Sequence, residues 1–296
     1  MSEAVDRYLI ELRRTLDSCD AAVLQDALAD AEEYLSTELE RLRREQPPLD
    51  EASAFRSIVE RYGSPEEVAK AYRDIESRVV PTFSRRPGIR DRSLVEKFFG
   101  VAAEPRAYAA LVYLLVSLVT GTVYFTWAVS GLMISAGTII LVFGILIFGM
   151  FVFSVQGFAL IEGRIVEALL GERMPRRAAR TPSPGKGLVG MFVTRIKDRR
   201  TWTTLLYMIV QLPLGVFYFT VSVTLLAYSL ELIASPILLV LRLPLISVNG
   251  FHYVPQAWVL PILVIAGVLD LIVTLHLAKW VGRWHGKWAK ALLVHG

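Results

Sequence analysis

Fifty-five consecutive residues, Ala107 to Ile161, contain no Asp, Glu, Lys or Arg. A helix needs about 20 apolar residues to cross the ~30 Å hydrocarbon core of a bilayer. The run is therefore expected to hold two crossings joined by a turn, which Ser130, Gly131, Ser135 and Gly137 place near 130–138. A second uncharged run, Thr201–Leu230, gives a third crossing. Val259–Ala278, broken only by Asp270, gives a fourth. The expected spans are 107–131, 138–161, 203–230 and 257–279. A hydrophobic content of 54% with 20% charged residues excludes a disordered chain and is unlike an ordinary soluble domain. A single cysteine, Cys19, excludes an internal disulfide framework and a cysteine-based metal site.

The charge is unevenly placed. Residues 1–80 hold 19 Asp+Glu against 11 Lys+Arg, and the remaining residues hold 9 against 21. An acidic head thus precedes a basic, apolar body, the mark of two domains in different solvents. Met1–Asp50 alternates acids with leucines and has no signal-peptide pattern. Basic residues set the orientation. The loop from Glu162 to Arg200 carries ten Lys+Arg against four acids, and Arg85, Arg86, Arg90, Arg92 and Lys97 precede the first span. Lys279, Arg283, Lys287 and Lys290 follow the last. The positive-inside rule puts both termini and the central loop in the cytoplasm.

The body contains a duplication. Residues 106–132 lie over 200–226 with eleven of 27 positions identical, among them Tyr113/Tyr207, Gly121/Gly215 and Tyr124-Phe125-Thr126 over Tyr218-Phe219-Thr220. The copies also end alike, with Arg164 and Glu167-Ala-Leu-Leu over Lys287 and Lys290-Ala-Leu-Leu at an offset of 123. Both copies start on one side, so the repeat is parallel about an axis along the membrane normal.

The head reads as three or four amphipathic helices. Tyr8, Leu9, Leu12 and Leu16 form one stripe, Leu24, Leu28, Leu35, Leu39 and Leu42 belong to a second, and Phe55, Ile58 and Tyr62 mark a third. Pro47-Pro48 stops the second helix. Gly63-Ser64-Pro65-Glu66-Glu67 combines a C′ glycine, an N-cap, an N1 proline and a capping-box acid. The acidic balance argues against direct nucleic-acid binding and suits protein docking.

These motifs carry a resemblance. Residues 6–76, with Tyr8-Leu9-x-x-Leu, Ala31-Glu32-Glu33 and Tyr62 through Ala69, resemble the helical HAAS signalling domain of bacterial and archaeal membrane proteins. Residues 106–293 resemble the "putative sensor" membrane domain found ahead of some bacterial histidine kinases. The resemblance rests on Leu212-Pro213-Leu214-Gly215 with Tyr218-Phe219-Thr220 and on the Glu-Ala-Leu-Leu-Gly ending at Gly171. It implies sensing or signal relay, often beside a transcription regulator. The chain closes at Gly296, which leaves no room for a kinase, so output is expected through the head or a partner.

No catalytic constellation, phosphate loop or metal motif is present, and no cofactor is expected. Asp270 within the fourth span is the costliest residue to place in lipid. With Glu231 and Arg242 at the external end of the third span, and the repeated Tyr124 and Tyr218, it forms the candidate intramembrane polar or ligand site. In the tail, Trp280, Trp284 and Trp288 recur every four residues beside Arg283, Lys287 and Lys290. That pattern predicts an interfacial helix on anionic headgroups.

The expected fold is all-α. Its parts are an acidic cytoplasmic helical domain (1–80), a basic linker (81–105), a first transmembrane hairpin (106–172) and a flexible basic loop (173–199). A second hairpin (200–279) with an external loop (231–256) and an interfacial amphipathic helix (280–296) complete it. The expected function is a non-enzymatic sensor or regulator in the bacterial inner membrane. It would act on a cytoplasmic protein partner, a transcription regulator among the candidates, with homo-oligomerisation left open. The alternative is a small multi-pass transporter or an accessory subunit of one.

Overall fold

The computed structural model describes residues 3–17, 19–45, 50–78, 93–138, 144–176, 198–241, 246–248, 251–253 and 256–294. Among these residues the architecture is all-helical apart from one short ribbon. The head consists of α1 (Glu3–Thr15), α2 (Ala21–Glu45), α3 (Glu51–Tyr62) and α4 (Pro65–Arg78). The predicted leucine stripes close its core: Leu12, Leu16, Leu35 and Ile58 are fully buried. The capping box forms as read, with Ser64 N–H donating to Glu67 Oε2 at 2.9 Å and Glu67 N–H to Ser64 Oγ at 3.3 Å. Gly63 sits at φ +109°, where a side chain would be strained, and its carbonyl accepts from the Tyr8 hydroxyl at 2.9 Å. Burial, then the neighbouring Tyr62, holds that hydroxyl above the ordinary phenol range.

After α5 (Leu94–Phe99) and a 3₁₀ turn (Gly100–Ala103), the body is built from four long helices: α6 (Pro105–Thr138), α7 (Gly144–Leu170), α8 (Arg199–Ile233) and α10 (Leu260–Leu293). All four are long and apolar enough to span a membrane. Between α8 and α10 lie α9 (Ser235–Val240) and an antiparallel ribbon of β1 (Ile246–Val248) with β2 (Phe251–Tyr253). The 34 residues of α6 measure about 51 Å, so it extends well beyond the hydrocarbon core.

The two copies meet at one close crossing. A Cβ on Gly121 of α6 would stand 2.6 Å from the Gln211 carbonyl oxygen of α8, and one on Gly215 only 2.3 Å from that of Ser117. Gly121/Gly215 and Ser117/Gln211 are equivalent at the offset of 94. The contact is therefore reciprocal about a pseudo-two-fold axis, the close approach that small residues give to membrane helices.

Three expectations are corrected. The turn is not at 130–138, because α6 is helical through Thr138. Gly131 serves packing instead: a Cβ there would fall 2.0 Å from the Phe151 ring. The tail is not a separate interfacial helix, because α10 is continuous from Leu260 to Leu293. Gly282 and Gly286 let it pack on the bundle, the first against Ala110 and Leu170, the second against Glu172. Third, part of the linker and part of the external loop are regular, as α5, α9 and the ribbon show. Pro213 lies within α8 without breaking it. Pro47-Pro48, most of the basic loop and Arg242 lie outside the described residues.

The head sits against the end of the bundle where α7 and α10 finish and α8 begins. Lys290 of α10 pairs with Asp20 at 2.5 Å, Arg200 of α8 donates to Gln25 Oε1 at 3.0 Å, and Arg176 N–H donates to Asp26 Oδ1 at 2.7 Å. Ala22 and Val23 beside them are buried. Head and tryptophan-bearing tail therefore share one end of the bundle.

Candidate functional site

The most concentrated polar chemistry of the body lies near that end. Tyr113, Tyr207, Glu162 and His285 are each eight residues from the end of their own helix, about 12 Å along the axis. Glu162 and both tyrosines are 1% exposed, and His285 and Gln211 are 0% exposed. Tyr113 and Tyr207 donate to Glu162 Oε1, each at 2.7 Å, and Tyr124 donates to Oε2 at 3.0 Å. His285 Nε2 lies 2.7 Å from the Tyr113 hydroxyl and 3.2 Å from that of Tyr207. Its Nδ1 lies 3.4 Å from the Tyr218 hydroxyl. Gln211 Nε2 donates to Tyr113 at 3.4 Å, while its buried Oε1 has no partner among the described residues. Trp288 closes the side, its ring centroid 5.1 Å from that of Tyr207 and 5.5 Å from that of His285.

Proton counting gives the roles. Tyr113 has one proton and gives it to Glu162, so at 2.7 Å His285 Nε2 must be the donor to its oxygen. Nδ1 is then the acceptor for Tyr218. The carboxyl is met by three phenols and no cation. Burying it on those terms is tolerable because each oxygen is hydrogen-bonded.

The cluster follows the repeat. Tyr113/Tyr207 and Tyr124/Tyr218 are equivalent pairs at offset 94, and Glu162/His285 are equivalent at offset 123. All six side chains thus come from three equivalent positions, gathered around the axis. Sequence reasoning singled out Tyr124 and Tyr218, which the structure brings into the cluster. It missed Glu162, Tyr113, Tyr207, Gln211 and His285. Glu162 read as the first residue of a loop and His285 as part of a tail. The signal was present, since the offset that aligns Arg164 with Lys287 also sets Glu162 on His285.

The other candidates fall elsewhere. Asp270 accepts from Ser229 at 2.7 Å. It lies about 22 Å along α10 from His285, so the two do not share a site. Glu231 is exposed, and Arg242 lies outside the described residues. Of the tail residues, Trp280 and Trp284 are 61% and 52% exposed, and Arg283 and Lys287 are exposed. Trp288 packs into the cluster and Lys290 is engaged by the head. Among the described residues no three His, Cys, Asp or Glu side chains converge as metal ligands.

Two family models match the chain: one described as "Putative sensor" over residues 113–293, and HAAS over residues 7–71. The first begins at Tyr113 and ends at Leu293, enclosing the whole cluster. No curated protein and no solved structure matches the chain.

Proposed function

We propose a sensing and relay role on the premise that the chain belongs to the Putative sensor family, with a HAAS domain as its head. The bundle is the input and the head the output. The chain lies in the bacterial inner membrane with head and tail in the cytoplasm, and the head acts on a cytoplasmic protein, of which a transcription regulator is one kind. Neither family description names a reaction, which fits a protein without catalysis.

One observation carries the reading: the helices that build the cluster also hold the head. Arg200 is seven residues from Tyr207 on α8, and Lys290 is five from His285 on α10. A rotation or shift of either helix that alters the cluster moves a residue that grips α2 or the Asp20 that precedes it. Both sites thus bias one element, as coupling requires.

Hydrogen exchange on the full chain in lipid nanodiscs tests the relay. Glu162→Gln, which nearly preserves shape while removing the ionisable group, is expected to change protection of residues 20–27 relative to the unaltered chain. Equal protection in both would overturn the relay.

A further inference from the structure

The two repeats do not place the same group at their equivalent central position. One sets a carboxyl there, the other an imidazole, and two phenols join them. Tyr113 and Tyr207 each lie within hydrogen-bond reach of both Glu162 Oε1 and His285 Nε2. Exposures of 0–1% at these four side chains and at Gln211 leave no room for a molecular ligand among them. A proton needs no room.

We infer that the Glu162–His285 pair is a reversible proton-binding site, with Tyr113 and Tyr207 as the bridges through which the two groups share the proton. The transfer balances. A proton arriving at His285 Nδ1 displaces the hydrogen bond from Tyr218. The Nε2 proton passes to the Tyr113 oxygen as Tyr113's own proton passes to Glu162. The net change is one proton gained, a neutral carboxyl and a reversed imidazole tautomer, with no other reactant consumed. A neutral carboxyl that donates no longer accepts from all three phenols, so the network rearranges. Gln211 reaches Tyr113 through Nε2 while its Oε1 has no partner among the described residues, so a turn of the amide would offer a displaced phenol proton an acceptor. An unmet buried acceptor is costly, so its pairing favours the second arrangement.

The groups facing the pair are Tyr113 and Tyr124 from α6, Glu162 itself from α7, Tyr207, Tyr218 and Gln211 from α8, and His285 from α10. Glu172, which follows α7, packs on Gly286 next to His285, and other charged residues of these helices have partners of their own. Arg164 pairs with Glu167, Lys279 with Glu104, Lys290 with Asp20, and Arg200 with Gln25. The site itself stands on this geometry alone; its effect on the head rests on the relay reading.

The test is infrared difference spectroscopy of the full chain in nanodiscs during a pH titration, with the proton as the only added ligand. A carboxylic C=O band that grows as pH falls is expected, lost in Glu162→Gln and kept in Asp270→Asn. Its midpoint is expected to move by about one pH unit, a tenfold change in proton affinity, in His285→Gln. No such band, a band that survives Glu162→Gln, or a midpoint indifferent to His285→Gln would overturn the inference. The unaltered protein gives a second readout that does not depend on variants folding. With ¹⁵N-histidine, the ring nitrogens of one buried histidine are expected to exchange protonated and unprotonated roles over the pH range of the band. Constant nitrogen shifts would overturn the inference too. A titrating pair with unchanged head protection would uphold the proton site and remove the relay.

Discussion

Replacing Gly215 by alanine puts one methyl group into the tightest contact of the bundle. The new Cβ would stand 2.3 Å from the Ser117 carbonyl oxygen, 2.8 Å from its carbon and 3.1 Å from Leu118 Cα. All three neighbours are backbone, so no side chain can swing aside. Reaching an ordinary contact of 3.4 Å requires α6 and α8 to separate by about 1.1 Å. The same change at Gly121, with Gln211 O at 2.6 Å, requires about 0.8 Å. Overpacking of this kind costs about 1–3 kcal/mol. The separation also stretches the grip of Tyr113 and Tyr207 on one carboxyl oxygen. If one of the two 2.7 Å bonds takes up the whole separation it lengthens to about 3.8 Å and passes out of hydrogen-bond range, and each interhelical bond lost adds about 0.6 kcal/mol. The expected destabilisation is about 2–4 kcal/mol for Gly215→Ala and somewhat less for Gly121→Ala. Gly157→Ala is the control: its Cβ meets nothing within 4 Å, and a better helix former there is neutral or stabilising by up to ~1 kcal/mol. Equilibrium unfolding in mixed micelles with increasing denaturing detergent reads all three. If Gly215→Ala unfolds within about 0.5 kcal/mol of the unaltered protein, the crossing is not where the repeats are held together, and the argument from the pseudo-axis fails.

Further expectations concern the head and its seat. Asp20→Asn, which keeps an acceptor for the Ala22 N–H, and Lys290→Gln should each expose residues 20–27 to hydrogen exchange, and the two together should cost little more than either alone. A coupling of about 1 kcal/mol, roughly fivefold in docking, suits a partly screened pair, and fully additive effects would deny the contact. Ser64→Ala removes the acceptor for the Glu67 N–H and should cost about 1 kcal/mol, read as faster exchange at the start of α4. Asp50 caps α3, and its carboxyl is held below the ordinary range by the Ser53 side chain and then by the Ala52 N–H. The folded state therefore prefers the ionised form. Its contribution is present above the ordinary carboxylate pKa and lost as pH falls through the depressed value. Protection of residues 51–62 should weaken in acid, and Asp50→Asn should flatten that limb of the profile; an unchanged limb would assign the acid sensitivity elsewhere.

What the sequence disclosed and what it hid follow from the range of each interaction. Capping residues act over three positions, so Ser64 and Glu67 announced their own geometry. The absence of charge over 55 residues dictated a spanning pair whatever the packing. Gly131 misled because one residue type serves two ends: a turn and a place where a ring approaches a helix. Only the distant Phe151 decides between them. The tail misled for a related reason. Tryptophans spaced by four beside a basic stripe describe an interfacial helix if the helix stands alone. Gly282 and Gly286 describe a packed one once Leu170 and Glu172 are known to lie opposite.

The intramembrane acid illustrates the same rule at the level of function. Asp270 drew attention because it interrupts an apolar run, yet one hydroxyl from Ser229 meets it. Glu162 escaped attention because it ends an apolar run and looked like the edge of a loop. The physical cost of a carboxyl depends on its burial and partners rather than on the hydropathy of its sequence neighbours. At 1% exposure with three phenols upon it, Glu162 is the more expensive group and the more elaborately supported. That support comes from both copies of the repeat, so neither hairpin alone could bury the group. The duplication therefore does more than double the number of crossings. It brings an acid and a base together between the two halves, on the same helices that carry Arg200 and Lys290 to the head.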